Sequence, residues 1–393
     1  MPAVSLFFQI HQPFRLYPYK FFDIGSGRDY VNEYLNKEIL DRIADNCYLP
    51  ANRMLLDLMK ATSGGLKVTF SISGTALEQF EKFRPDVLES FQALAETGNV
   101  EFLGETYYHS LSFFYDKNEF ERQVRIHTEA IEKYFNQTPR IFRNTELACQ
   151  NEMMSLISTF GFNGMVTEGL EWLIPASDGH PNKVFGSKAN SKLAILLRNH
   201  ELSNDIGYRF TDTNWKKYPL TSRKFINWLK KEPGEVINLY LDYEAIGEHH
   251  KADTGIFEFL EGFIAKWDTK GEFLLPSQAL KRMKPGGRLD IYSPISWADT
   301  ERDLSAWNGN PLQKAALKRL YEMGEGIKAL EDNNDLLELW SYLQSSDHFY
   351  YMSTKQNHDA RVHSYFSPYN TPYDAYVYYT NILSDMEIRM QKP

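Results

Sequence analysis

Seven short apolar runs recur along the chain, at 4–10, 66–72, 99–103, 140–144, 164–167, 193–197 and 236–241. Amphipathic stretches separate most of them. Apolar residues at three-four spacing predict helices over 51–61 and 76–97. The clearest helix starts at Asp116, where Asp116 and Glu119 take capping-box positions ahead of Phe120, Val124, Ile131 and Phe135 on one face. Near-continuous apolar strands are buried on both faces, and alternation with helices makes the sheet parallel. Seven of them predict an α/β fold closed, or nearly closed, into a barrel.

The pattern changes after residue 250. Helices are predicted at 254–266, 276–283, 311–330 and 335–344, with a loop at 284–288 and a Tyr-rich, helically spaced stretch in the last forty residues. A soft boundary is expected: a barrel over 1–290 and a C-terminal helical region over 291–393 that packs on it and completes its active site. No internal repeat or flexible linker intervenes.

Composition narrows the functional classes. The 393 residues carry a formal charge of −9, which argues against a nucleic-acid partner. Aromatic residues reach 15%, mostly Tyr and Phe, which suits either a barrel core or sugar stacking. Cys47 and Cys149 are too few for a disulfide framework and lack zinc-ligand spacing, and no apolar run is long enough to span a bilayer. With no basic, apolar leader at the N-terminus, the expectation is a cytoplasmic protein.

Polar residues collect just past the C-terminal ends of four of the predicted strands, the face where α/β barrels place their chemistry. His11 and Gln12 follow the first, Glu105 the third, Glu146 the fourth, and Asp242 ends the seventh. Arg143 and Asn144 offer hydrogen bonds that would keep Glu146 ionised, as a nucleophile requires; its plainer role is a first-turn acid for a helix starting near Asn151. Asp242 follows Leu239, Tyr240 and Leu241, and apolar backing would raise its pKa so that it stays protonated. Glu244, two residues on, would share its face if the segment stays extended, and either could be the working acid. Two acids in contrasting environments are what glycoside hydrolysis needs.

Other constellations are less specific. His11, His109, His249 and His250 with Asp242 and Glu248 could be assembled into a metal site, but no His-Glu-x-x-His spacing occurs and adjacent histidines point two ways. The glycines form no Walker or dinucleotide fingerprint. Between 295 and 310, Trp297 and Trp307 offer stacking surfaces and Asp299, Asp303, Asn308 and Asn310 offer hydroxyl-binding groups; a capped loop entering the helix at Pro311 explains them equally well. The segment 346–351 is a weaker candidate of the same kind, with helix-terminal packing the simpler role.

Five ordered blocks bring these residues together: His11 to Pro13; 98–105 with the following Tyr107, Tyr108 and His109; 142–146; 241–249; and Trp297 to Asp299 through 305–310. In these the chain resembles glycoside hydrolase family 57, the α-amylase-type family. The resemblance implies an incomplete (β/α)7 barrel followed by a helical bundle, and retaining chemistry on α-1,4-glucans such as glycogen, starch or maltodextrin, with 4-α-glucanotransferase activity as a variant. It makes Glu146 the nucleophile and Asp242 the general acid and base, with no metal or cofactor. His11, Gln12, Glu105, His109, Arg143, Glu244, Trp297, Asp299, Asp303 and Trp307 would hold an α-glucan or maltooligosaccharide. Glu248, His249 and His250 become rim. Ala245 and Ile246 stand where a polar-aromatic pair is expected, a departure that bears on subsite shape. Two other readings stand beside it: a glucan-binding homologue without turnover, and a metal-dependent glycosidase or polysaccharide deacetylase on a related barrel.

Overall fold

The computed structural model describes residues 1–176, 178–330, 334–356, 363 and 366–391. Nine strands form one sheet: β1 (Ala3–Ile10), β2 (Val68–Ile72), β3 (Val100–Phe102), β4 (Ile141–Arg143), β5 (Gly164–Glu168), β6 (Val184–Ser187), β7 (Ala194–Arg198), β8 (Val236–Asp242) and β9 (Arg288–Leu289). Seven of them coincide with the seven apolar runs and lie parallel in the order β3-β2-β1-β8-β7-β5-β4. All eight residues of β1 are buried, as expected of a strand covered on both faces.

The two ends of this order meet. Gly104, just past β3, bridges Phe142 of β4, donating its N–H to the Ile141 carbonyl at 2.9 Å and accepting from the Arg143 amide at 2.8 Å. The seam needs glycine, because a Cβ there would lie 2.5 Å from the Phe162 ring. Elsewhere the barrel gapes: β7 and β8 share the single register pair Arg198 and Asn238. The result is the incomplete (β/α)7 barrel. Phe7, Leu103, Ile141, Val166, Leu196 and Tyr240 fill its interior.

Three local outcomes depart from the sequence pattern. The helix expected over 76–97 is two, Gly74–Phe83 and Pro85–Glu96, because Pro85 has no amide to donate and restricts the residue before it. Asp116 caps its helix by accepting from the Glu119 amide, but the Glu119 carboxylate turns instead to Arg122 and Gln123, so only half the capping box forms. Strands β6 and β9 were not expected: β6 lies antiparallel on β7, and β9 pairs with it where a loop was read. β9 is only two residues long, and Gly186 and Ser187 make up half of β6, so neither forms an apolar run.

Beyond β9 the helices Pro311–Lys328, Asn334–Tyr342 and Pro372–Met390 bury Leu317, Leu320, Trp340, Ile382 and Leu383 in a core of their own, which also takes in Leu16, Tyr19, Tyr30 and Leu111 from barrel loops. The helical region therefore sits over the loops that follow the strands. Part of the Tyr-rich C-terminal stretch, residues 357–362, 364–365 and 392–393, lies outside the described residues. Among the described residues no helix is long and apolar enough to cross a membrane.

Candidate active site

Parallel register carries the ends of β1, β4, β7 and β8 to one face, where Gln9 pairs with Asp242. A cleft of about 970 Å³ opens there, and Glu146 and Asp242 both line it.

Glu146 follows β4 in a tight turn. It and Leu147 adopt left-handed backbone, with φ of 59° and 52°, at a cost of about 1–2 kcal/mol for each non-glycine residue. The turn is secured on the far side by Trp297, whose amide donates to the Glu146 carbonyl at 3.2 Å. The carboxylate is then held at both oxygens: His109 Nε2 lies 3.0 Å from Oε1, and the Trp297 indole donates to Oε2 at 2.6 Å. Burial would raise its pKa, but the His109 bond and charge, the indole and the Arg143 guanidinium outweigh it and hold the carboxyl below its ordinary value. Glu146 is thus an anion poised in a partly dry site.

Asp242 has the opposite environment. Burial at the end of β8, reinforced by the Glu146 charge and only partly opposed by Arg143, Arg198 and His109, pushes its carboxyl up to about 6. One acid is kept ionised and its neighbour holds its proton to higher pH than an ordinary carboxyl, the division of labour that acid-assisted nucleophilic displacement requires.

A layer of charge at the floor of the cleft, which His109 lines, sets this difference. His109 stands on left-handed backbone, with φ 53°. Burial works against its proton, yet bonds to Glu105 and Glu146 raise its pKa to about 9, so the imidazolium persists at neutral pH. Glu105 itself does not line the cleft. Buried to 1% exposure, it accepts from Ser71 at 2.7 Å and Arg143 at 2.9 Å, and despite burial the Arg143 charge and the His109 bond hold its carboxyl down to about 2. Arg143 is likewise fully buried, reaching Glu105 and Gln9. Both were expected to touch ligand, and the structure corrects this: they support His109 and Glu146 from below.

His11 stacks on His109 with ring centroids 3.9 Å apart and bonds Ser73 at 2.8 Å and Asp347 at 2.9 Å. Burial, then repulsion from His109, lowers its pKa, so it is the neutral member of the pair. Gln12 lines the cleft and donates to the Tyr48 hydroxyl at 3.0 Å. That hydroxyl is aimed inward by a π-type turn at Ala44–Tyr48 and donates in turn to Glu244. The extended segment ends at Asp242, and Tyr243–Ala245 turns in a 3-10 helix, so Glu244 does not repeat the Asp242 face as expected. Its carboxyl lines the cleft and is raised to about 8, by burial first and Asp242 next, against the Tyr48 bond.

The 295–310 segment divides. Trp297, Asp299 and Trp307 line the cleft, and Asp299 is bound by Lys355 at 2.6 Å and His363 at 3.2 Å. Asp303 does not reach it: its exposed side chain accepts from the Ser305 amide at 2.8 Å, a local capping role that removes it from the ligand set. Glu248 ties Arg42, Asn46 and Lys251 at the rim, and His250 turns away to Thr211 and the Gly207 carbonyl. Among the described residues no group of three or more His, Cys, Asp or Glu is arranged to hold a metal ion. Ala245 and Ile246 are buried and do not line the cleft.

Several lining residues escaped the sequence reading. Arg198 ends β7 as Asp242 ends β8, so the strand-end rule that flagged Asp242 would have found it. Tyr208 had no local signal. Ser346 and Asp347 lie in the segment given a packing role, yet both line the cleft and Asp347 fixes His11.

Residues 5–292 match the model for glycosyl hydrolase family 57. A protein of Methanocaldococcus jannaschii, named "Putative alpha-amylase", is 40% identical over 402 residues, covering 98% of this chain and 84% of that one. Among solved structures, the 4-alpha-glucanotransferase of Thermococcus litoralis is similar with a TM-score of 0.65 at 15% identity, over 88% of this chain; this chain spans only 54% of that enzyme. A family 57 branching enzyme of Thermococcus kodakaraensis has a TM-score of 0.67 at 13% identity, over 93% of this chain and 87% of its own. At such identities the two structures speak for the fold, whereas the matched span and the archaeal relative speak for descent. Both carboxyls fall within that span, at the strand ends where the fold puts chemistry, and the chain belongs to glycosyl hydrolase family 57.

Proposed function

We propose that the protein is a retaining α-glucan hydrolase, α-amylase-like, acting on α-1,4 bonds of glycogen, starch or maltodextrin, with a sugar hydroxyl able to replace water as acceptor. The observation that carries the reading is two carboxyls in one cleft with contrasting surroundings, Glu146 held at both oxygens by His109 and Trp297 and Asp242 buried at the end of β8 with no such donors among the described residues. Glu146 attacks the anomeric carbon while Asp242 gives its proton to the departing glycosidic oxygen. The Asp242 carboxylate then takes a proton from the incoming water or hydroxyl, which displaces Glu146 and restores configuration. His109 and Trp297 keep the nucleophile's charge in place without consuming its attacking lone pairs. The substrate class is supported by the names of the relatives and by the aromatic walls of the cleft, Trp297 and Tyr208, that suit sugar faces. We assign the barrel to 1–290, the helical region that completes the cleft to 291–393, and the cytoplasm as the site of action, where Cys47 and Cys149 remain free thiols.

The test is Glu146→Gln. It should abolish reducing-sugar release from maltooligosaccharides while binding, measured by calorimetry, stays within a few-fold of wild type. A wild type that turns over no α-glucan would overturn the hydrolase and leave a binding protein.

A further inference from the structure

Glu168, the last residue of β5, is a carboxylate with no exposure and no part in lining the cleft. Its Oε1 accepts from the following amide of Gly169 at 2.8 Å, and its Oε2 accepts from Arg198 Nη1 at 3.0 Å with Arg302 Nη1 at 3.8 Å. Two cations of the cleft wall therefore answer to one buried anion.

Each cation in turn holds Trp297. Arg198 is fixed on three sides, donating also to the Tyr240 carbonyl at 2.9 Å and to Asn204 at 2.6 Å, and its guanidinium lies 5.4 Å from the Trp297 ring centroid. Arg302 donates to the Trp297 carbonyl. The same indole donates to Glu146. A path of direct contacts thus runs from Glu168, through two arginines and one tryptophan, to the proposed nucleophile.

We propose that Glu168 is a positioning residue for the glycosidic reaction: it clamps Arg198 against the Trp297 ring and Arg302 against the Trp297 carbonyl, fixes the indole that holds Glu146, and balances the Arg198 charge beside Asp242. The inference rests on Glu146 and Asp242 being the working pair. Asp242 is faced by Arg143 from β4, Glu146 from the turn after it, His109 from the segment after β3, and Arg198 from β7. Tyr208 faces it from the end of the helix His200–Gly207, and Tyr240 and Glu244 lie on its own segment. Of these, Arg198 is the cation whose charge Glu168 offsets directly. Removing the anion leaves that cation uncompensated, so the Asp242 carboxyl should ionise more easily. Shortening the anion keeps the balance but withdraws the grip.

Two signals in the full-length protein separate these effects: the Trp297 indole N–H resonance, identified by its loss in Trp297→Phe, and the titration of the Asp242 carboxyl in 13C-aspartate-labelled protein, identified by its loss in Asp242→Asn. In Glu168→Gln the indole resonance should move and the Asp242 pKa should fall by about one unit. In Glu168→Asp the indole should move while Asp242 titrates as in wild type. A filler role without the clamp would move neither. An unchanged indole and unchanged Asp242 titration in folded Glu168→Gln overturns the proposal; should that variant not fold, an unmoved indole in Glu168→Asp does so. Both signals are read without turnover, so a protein inactive on every α-glucan would refute the hydrolase and leave the clamp decided on its own evidence.

Discussion

Asp242→Asn is expected to make the folded protein more stable at neutral pH while removing its activity. The fold raises this carboxyl from an ordinary 3.8 to about 6, by burial first and by the Glu146 charge second. A folded pKa above the unfolded one means that the folded chain prefers the protonated acid. The carboxyl therefore carries no penalty below pH 3.8, and the penalty grows until it is complete above pH 6. A shift of that size corresponds to ~3 kcal/mol, and because the side chain opens partly on the cleft about 2 kcal/mol is the expected effect. Asparagine keeps the shape of the protonated acid without its titration. Urea unfolding should give wild type and variant similar midpoints at pH 4, with the variant more stable by about 2 kcal/mol at pH 7.5 and an unchanged slope. Turnover should fall by about 10²–10⁴-fold, the usual contribution of a positioned acid. A variant no more stable at pH 7.5 than at pH 4, relative to wild type, would show that the fold does not hold Asp242 protonated; surviving kcat/KM would show that another group is the acid.

Glu244→Gln tests the choice between the two neighbouring acids: with its carboxyl raised to about 8, Glu244 is already neutral at pH 7, so the amide should leave kcat/KM within a few-fold of wild type. Trp297→Phe removes a hydrogen bond to a charged group, worth about 1.5–3 kcal/mol, so kcat/KM should drop by about 10- to 150-fold and the acid limb of the pH profile should move up as Glu146 loses a donor. His109 is raised from 6.5 to about 9; the stability it contributes, up to ~3 kcal/mol, is complete below pH 6.5 and is lost as pH rises through 9. Denaturation midpoints measured from pH 6.5 to 10 should fall in wild type and stay nearly flat over that window in His109→Gln.

The barrel was legible because parallel strands buried on both faces are written as uninterrupted apolar runs, and all seven runs became its strands. Strand ends also located the mouth, since register then fixes which residues share a face: Gln9 opposite Asp242 follows from pairing β1 with β8. Which polar residues there meet a ligand was less legible. Glu105 and Arg143 carry the same signature as Glu146, a polar residue at or past a strand end, yet they face inward and meet each other. Side-chain direction at a strand end is decided by one or two φ angles, and the left-handed turn at Glu146 leaves no mark in the residue types. Asp303 failed for a simpler reason, because a loop acid two residues before a free amide caps it whatever else lies nearby. Asp347 was hidden by distance, 336 residues from the His11 it binds.

The asymmetry between the two carboxyls is not a property of the barrel alone. The barrel delivers Glu146 and Asp242 to one mouth and supplies His109 beneath them. The remaining donors to Glu146 come from beyond residue 290: the Trp297 indole at 2.6 Å and, more weakly, the Ser346 hydroxyl at 3.5 Å. No hydrogen bond of this kind reaches Asp242 from the helical region among the described residues. Asp347, from the same region, keeps His11 oriented while its negative charge lies close enough to favour the His109 imidazolium. The chain beyond residue 290 thus adds to the lowering that His109 begins at one carboxyl and leaves its neighbour to burial. Two acids of similar intrinsic strength are driven apart first by burial, by His109 and by the Glu146 charge, and the Trp297 bond, made from the loop between β9 and the C-terminal helices, widens the gap.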